Sequence, residues 1–439
     1  MKFYNREKEI AQLKEIQHKS LQNAQMTVIT GRRRIGKTQL LLKSTEGEPT
    51  LYFFVARKAE TLLCQDFQQE IETKLDIPIL GKVENFGTLF RYVMELSKSR
   101  AFNLIIDEFQ EFYTVAPSVY SDMQHHWDLN KDESKINLLL SGSVYSLMHK
   151  IFQGSKEPLF GRATARIVVK PFATNTLKEI LADHNPTYTH EDLLALYTFT
   201  GGVAKYVQLL IDAGATTLTK MLNYIVSEES LFITEGKNML IDEFGKEYTN
   251  YFSILSSIAR GENTRSKIEA IIGKEIGGYL TRLNDDYSLI TKDMPIYAKI
   301  SSKNVRYILK DNFLTFWFRF VYKYSYIIEI GGYEQLREII KRDYPTYSGT
   351  ILERYFKDKF IESKKYSRIG GYWDRRGENE IDLIAMNELD SVADVIEIKR
   401  KASNIDQDKL VEKSVHLCNA ISELKGYRIN TFGLSMEDM

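Results

Sequence analysis

Along the first 170 residues, short apolar runs alternate with stretches in which apolar residues recur every three or four positions. The runs Met26-Thr-Val-Ile-Thr30, Phe102-Asn-Leu-Ile-Ile106 and Ile136-Asn-Leu-Leu-Leu140 carry no sustained polar alternation, as strands covered on both faces require. Helical stretches between them predict a parallel sheet with helices on both sides, ending near Pro171. From there to about Leu240 the period is helical: Leu177, Ile180 and Leu181, then Leu193, Leu194, Leu196 and Tyr197, lead up to Gly201-Gly202. A small helical lid is expected there.

The texture changes after about residue 241. Phe244 to Ala259, Arg265 to Ile272 and Glu275 to Asn284 read as three helices, with Thr264 as an N-cap. Short strands around Leu289-Ile290, Tyr297 to Ile300 and Val305 to Leu309 are expected to follow as a wing. The aromatic run from Phe313 to Lys323 is interrupted by Arg319, so it suits a packing helix better than a membrane span. Beyond it Glu353 falls in a helical stretch, and Glu380-Ile-Asp382-Leu-Ile384 and Val395-Ile-Glu397-Ile-Lys399 read as strands. The expected divisions are 1–170, 171–240, 241–312 and 313–439.

Composition narrows the class. A chain of 439 residues with 43% hydrophobic content can build several packed cores. Lys plus Arg equals Asp plus Glu at 59 each, so no global field draws nucleic acid or a membrane, and any such binding must come from local patches. Cys64 and Cys418 are too few for a disulfide framework or structural zinc and suit a reducing cytosol. The segment Met1 to Lys8 lacks the apolar core of a secretion signal, so a cytoplasmic location is expected. His125-His126, beside Trp127 and near no cysteine, reads as a solvated helix face.

The chemistry begins at Gly31-Arg32-Arg33-Arg34-Ile35-Gly36-Lys37-Thr38, which fits the phosphate-loop pattern G-x-x-x-x-G-K-[ST] directly after a strand. A glycine loop opening a helix aims unpaired N–H groups and the positive helix end at one point, where a triphosphate satisfies them. Lys37 is expected to reach the outer phosphates and Thr38 to ligate Mg2+. Asp107, ending the second run, is expected to hold the metal through water, and Glu108 to polarise the water that attacks ATP. Ser141 or Ser143, at the end of the third run, can sense the terminal phosphate. Arg162 or Arg166, in and after a glycine turn, can act as an arginine finger on the chain's own site or a neighbour's.

Together, Phe3-Tyr-Asn5-Arg6-Glu7, the loop, Asp107-Glu108, Ser141-Gly-Ser143, Pro158-Leu-Phe-Gly161-Arg162 and Gly201-Gly202-Val203 resemble the archaeal-type AAA+ ATPases of the STAND clade. The resemblance implies that the Asn-Arg-Glu segment, and so Arg6, borders the adenine pocket, and that the glycine pair opens the lid. Ala204 stands where that family usually has proline. The implied fold is α/β: a P-loop NTPase parallel sheet with a helical lid, a winged-helix-like module and a carboxyl-terminal α/β nuclease-like domain.

Two distal segments carry further expectations. The third helix of the winged-helix-like module can present Lys274, Tyr279, Thr281, Arg282 and Asn284 to DNA, although Glu275, Asp285 and Asp286 repel phosphate. Glu397 and Lys399 lie two apart and share a strand face. With the Asp382 strand alongside, two carboxylates and an ammonium can gather one magnesium ion and a water, Glu353 completing the ligand set. This pattern is similar to the PD-(D/E)XK nuclease fold, which implies metal binding by Asp382 and Glu397 and phosphate stabilisation by Lys399. The alternative is a solvated Glu397–Lys399 pair on an edge strand. Arg375 and Arg376, after Trp373, suggest a phosphate contact beside a stacked base. Two functions follow: an ATPase acting on nucleic acid through its distal half, or a regulatory switch whose distal domains bind a protein partner or another copy of the chain. A site that binds ATP or ADP without turnover is a third.

Overall fold

The computed structural model describes every residue except Lys246, Glu247, Ile300, Arg375 and Arg376, together with the side chain of Asp242. The chain forms two compact units: Asn5–Lys170, and Met1–Tyr4 with Pro171–Met439.

The first unit is built on a five-stranded, all-parallel sheet in the order β2-β3-β4-β1-β5. The strands are β1 (Gln25–Thr30), β2 (Thr50–Phe54), β3 (Phe102–Asp107), β4 (Ile136–Gly142) and β5 (Ala165–Val168). Every residue of β3 and β4 is buried, as the uninterrupted apolar runs require of strands with helices on both faces. Crossover helices Lys37–Ser44, Glu60–Leu75, Phe86–Ser99 and Val119–Asn130 supply the covering layers. Parallel connections of this kind bring the carboxyl ends of β1, β3 and β4 to one edge of the sheet.

In the second unit the helices Thr174–His184, His190–Thr200, Ala204–Asp212 and Leu218–Ile225 come first, with Leu177, Ile180, Leu181, Leu193, Leu194, Leu196 and Tyr197 all buried. The expected helix from Phe244 to Ala259 is two helices. Leu231–Phe244 ends at Gly245, whose φ is 54°, and Tyr248–Ala259 is helical, with Lys246 and Glu247 between them outside the described residues. Arg265–Ile272 and Gly277–Asp285 follow, then an antiparallel hairpin of β6 (Ile290–Asp293) and β7 (Arg306–Leu309). The expected strand from Tyr297 to Ile300 does not form: Tyr297 sits in a turn at φ 61°, which strand backbone excludes, and Ile300 lies outside the described residues.

The aromatic run packs as Asn312–Phe316 continued by a π-helical turn, Trp317–Tyr322. Trp317 lies against Gly236, where any side chain would meet the indole, and its Nε1 donates to the Ile233 carbonyl at 2.9 Å. No helix among the described residues is long and apolar enough to cross a membrane. A 31-residue helix, Tyr333–Ser363, then leads to a second sheet in the order β11-β10-β9-β8. Its strands are β8 (Arg368–Trp373), β9 (Glu380–Asn387), β10 (Val392–Ile398) and β11 (Arg428–Leu434). Neighbours are antiparallel except β10 and β11.

Candidate functional site

At the end of β1 the backbone turns at Gly31, where a Cβ would come within 2.7 Å of the Val169 carbonyl oxygen. The loop passes through left-handed conformations at Arg34 (φ 67°) and Gly36 (φ 93°) before the helix Lys37–Ser44 starts. Ile35 is buried and anchors the loop, while Arg32 and Arg34 are half-buried and Arg33 is exposed. The helix therefore points its unpaired first-turn N–H groups out of the sheet edge. Lys37 folds back over the loop, donating to the Gly31 carbonyl at 2.9 Å and the Arg32 carbonyl at 3.2 Å. Burial pulls its ammonium down to about 8, against the opposing charges of Glu108 and Asp107.

Strand β3 brings its acidic pair to the same place. The Thr38 hydroxyl donates to Asp107 Oδ2 at 2.7 Å, closing a contact between residues 69 apart in sequence. The same oxygen accepts from the Tyr52 hydroxyl at 2.9 Å, and Oδ1 accepts from the Glu108 N–H at 3.0 Å. Glu108 follows in a left-handed conformation, φ 52°, which turns its side chain out of the strand direction. Its Oε2 accepts from Ser143 Oγ and from Gln110 Nε2, both at 2.6 Å. Of the two serines read from the sequence, Ser143 reaches the acidic pair. Ser141 is buried within β4, and its hydroxyl has no hydrogen-bond partner among the described residues.

Tyr52 and Gln110 were not anticipated. Tyr52 comes from an edge strand that the motif pattern does not single out, and Gln110 from a short turn after Glu108. Among the described residues no three His, Cys, Asp or Glu side chains gather as a metal-holding group. The hydroxyl–carboxylate pair of Thr38 and Asp107 nonetheless suits Mg2+, a hard cation that keeps waters and phosphate oxygens as ligands.

The arginines divide. Arg162 makes a two-pronged ion pair with Asp128, the closest contact at 2.7 Å, and donates to the Pro158 and Phe160 carbonyls, so in this conformation it is committed to those groups rather than to the loop. Arg166 donates to the Phe152 carbonyl at 2.9 Å. Arg6 is buried at the start of the helix Glu7–Ser20, where it donates to the Lys170 carbonyl at 2.6 Å and pairs with Glu9 at 3.3 Å.

The distal residues also converge. Asp382 Oδ2 accepts from the Ile398 N–H at 2.8 Å and from Lys399 Nζ at 3.2 Å, and Lys399 lies 3.5 Å from Glu397 Oε1. Strand β10 is interior, not an edge, and Glu397 is buried, held also by the Asp406 N–H at 3.2 Å and by Lys413 at 3.5 Å. Glu353 is near enough to feel this group: burial and the Asp382 charge push its carboxyl up to about 8, with Lys399 opposing. As the side chains stand, an ammonium fills the space between the two carboxylates.

The winged-helix-like surface is less open than its sequence suggests. Lys274 binds Asn250 and lies 5.1 Å from the Tyr279 ring centroid, Tyr279 accepts from Asn250 at 3.0 Å, Asn284 binds Asp285, and Arg282 reaches the Tyr251 hydroxyl at 3.4 Å. Trp373 is buried, with the Arg306 guanidinium 4.3 Å above its ring, so it offers no face to a base. The neighbouring Arg375 and Arg376 lie outside the described residues.

Two segments of the chain match known protein families. Residues 3–210 match an ATPase domain predominantly from Archaea, and residues 317–411 match a family described as archaeal and bacterial proteins of unknown function. An uncharacterized protein of Methanocaldococcus jannaschii is 31% identical over 408 residues, covering 91% of this chain and 88% of the relative. The solved Walker-type ATPase of Pyrococcus abyssi shares the fold at TM-score 0.55 and 19% identity, over 72% of this chain and 96% of that one. With a relative 31% identical along nearly its whole length, the chain belongs to the same family as that Methanocaldococcus jannaschii protein, and its first 210 residues carry an ATPase domain of a kind found predominantly in Archaea.

Proposed function

We propose that the amino-terminal unit hydrolyses Mg·ATP at the loop Gly31–Thr38. The observation that carries this reading is the 2.7 Å hydrogen bond from Thr38 to Asp107, which joins the phosphate loop to the acidic end of β3. On binding, Lys37 exchanges the Gly31 and Arg32 carbonyls for the outer phosphate oxygens, and the loop N–H groups take the rest of the chain of phosphates. Thr38 and Asp107 would hold Mg2+, which supplies charge neutralisation on the transferring phosphoryl group. Glu108, set in place by Ser143 and Gln110, orients the water that attacks the terminal phosphorus. Arg6 would border the base. Calorimetry with ADP tests the reading: wild type binds, Lys37→Ala does not, and equal binding by both would discard it.

We further propose that turnover is coupled to an action on nucleic acid through Asp382, Glu397, Lys399 and Glu353, whose convergence supports phosphodiester chemistry. The regulatory switch with a protein partner stands as a second reading, favoured by one observation: Lys399 already neutralises both carboxylates, and Asp382 also caps the Ile398 N–H, a structural task. Divalent-dependent nicking of plasmid or single-stranded DNA by wild type, lost in Asp382→Ala, supports the nuclease reading. Absence of both cleavage and DNA retention in wild type leaves the switch.

A further inference from the structure

Among the described residues, the carboxylate of Asp107 accepts hydrogen bonds from the Glu108 amide at Oδ1 and from the Thr38 and Tyr52 hydroxyls at Oδ2. The three donors are not equivalent. The Glu108 amide is fixed by the backbone of the strand end. The Thr38 hydroxyl belongs to the loop, and its oxygen is the one a cation there takes as a ligand. Tyr52 is a side-chain donor from β2, outside the loop, and it reaches Asp107 from the neighbouring strand.

The placement of Tyr52 is built into the sheet. Parallel pairing sets Tyr52 opposite Ile105 and Phe54 opposite Asp107, so the phenol extends forward along the strands to reach the acidic end of β3. Leu51 and Phe53 on either side are fully buried and pin β2 to the core. The outward Tyr52 N–H, which an edge strand leaves without a ladder partner, donates to Glu70 Oε1 at 3.3 Å from the helix Glu60–Leu75.

We infer that Tyr52 is a positioning residue for the divalent cation: by occupying a lone pair of Asp107 Oδ2 it fixes the plane of the carboxylate and directs it to hold the metal through water. The inference rests on the Mg·ATP reading above. Groups that orient a metal's carboxylate typically contribute roughly 10- to 100-fold in metal affinity. Tyr52→Phe keeps the ring and its packing and removes only the donor, so the fold is retained.

The test is ADP binding followed by calorimetry across a Mg2+ titration, beginning in EDTA, for wild type, Tyr52→Phe and a control, Tyr113→Phe, whose hydroxyl contacts Lys150 rather than Asp107. The expected result for Tyr52→Phe is metal-free ADP affinity within about 2-fold of wild type and a half-saturating Mg2+ concentration raised about 10-fold or more, with the control unchanged. An unchanged Mg2+ midpoint in Tyr52→Phe, with wild type responding normally, overturns the inference alone. Equal loss of affinity with and without Mg2+ also overturns it, because that is the signature of a packing role. Wild type whose ADP binding ignores Mg2+ removes the underlying metal reading, and this inference with it.

Discussion

Gly202 offers the sharpest test of how the turn between the helices His190–Thr200 and Ala204–Asp212 is built. Its φ is 73°, and a Cβ placed there would stand 2.6 Å from the Phe172 carbonyl oxygen, 3.1 Å from the Phe172 nitrogen and 3.2 Å from Pro171 Cβ. The neighbouring backbone cannot simply retreat, since the Phe172 N–H donates to the Gly202 carbonyl at 2.8 Å. For Gly202→Ala, the left-handed conformation costs about 1 kcal/mol. Relieving a backbone clash adds about 1–3 kcal/mol. The sum is a loss of about 2–4 kcal/mol. Gly214→Ala is the matched control: φ is 65°, yet nothing lies within 4 Å of the added carbon, so only the first part applies. Urea unfolding followed by circular dichroism reads both variants. A Gly202→Ala variant within about 0.5 kcal/mol of Gly214→Ala would refute the reasoning, because the turn would then be opening without resistance.

Two further predictions concern stability. Ala204 begins the helix Ala204–Asp212 and follows Val203 in an extended conformation (ψ 118°), so Ala204→Pro, at the position where proline is tolerated best, is expected to raise stability by about 0.5–1 kcal/mol in the same assay; a loss of more than that would show the Ala204 N–H to be in use. Glu353 keeps its proton in the folded chain up to about 8, whereas an unfolded chain releases it near the ordinary 4.5. Between those pH values the native state binds the extra proton, so stability falls as pH rises, by an amount on the order of a few kcal/mol across the window. Glu353→Gln should flatten that decline in thermal melts from pH 5 to pH 8; an unchanged slope contradicts the assignment.

What the sequence discloses depends on how local the cause is. The loop Gly31–Thr38 is legible because its chemistry demands particular residue types at adjacent positions, and β3 and β4 are legible because burial on both faces forbids polar alternation. Tyr52 and Gln110 are not, since their contacts with Asp107 and Glu108 are set by strand register and by the left-handed turn at Glu108. The choice between Ser141 and Ser143 turns on where β4 ends, a boundary too fine for periodicity to fix. Tyr297 belongs to an apolar stretch that suits a strand, but the turn that lets the Ile296 N–H reach the Gly371 carbonyl, 2.8 Å away, overrides that preference. In the distal half, the two-residue spacing correctly places Glu397 and Lys399 together. The salt bridge that puts Lys399 between Glu397 and Asp382 is a tertiary outcome with no signature in spacing.

The central claim, an ATP-hydrolysing centre in which Glu108 orients the attacking water, is tested most directly by phosphate release under saturating Mg·ATP, comparing wild type with Glu108→Gln. Positioned bases of this kind contribute roughly 100-fold or more. The account predicts that Glu108→Gln binds ATP as wild type does and releases phosphate at least about 100-fold more slowly. Equal rates of release from the two proteins would contradict it.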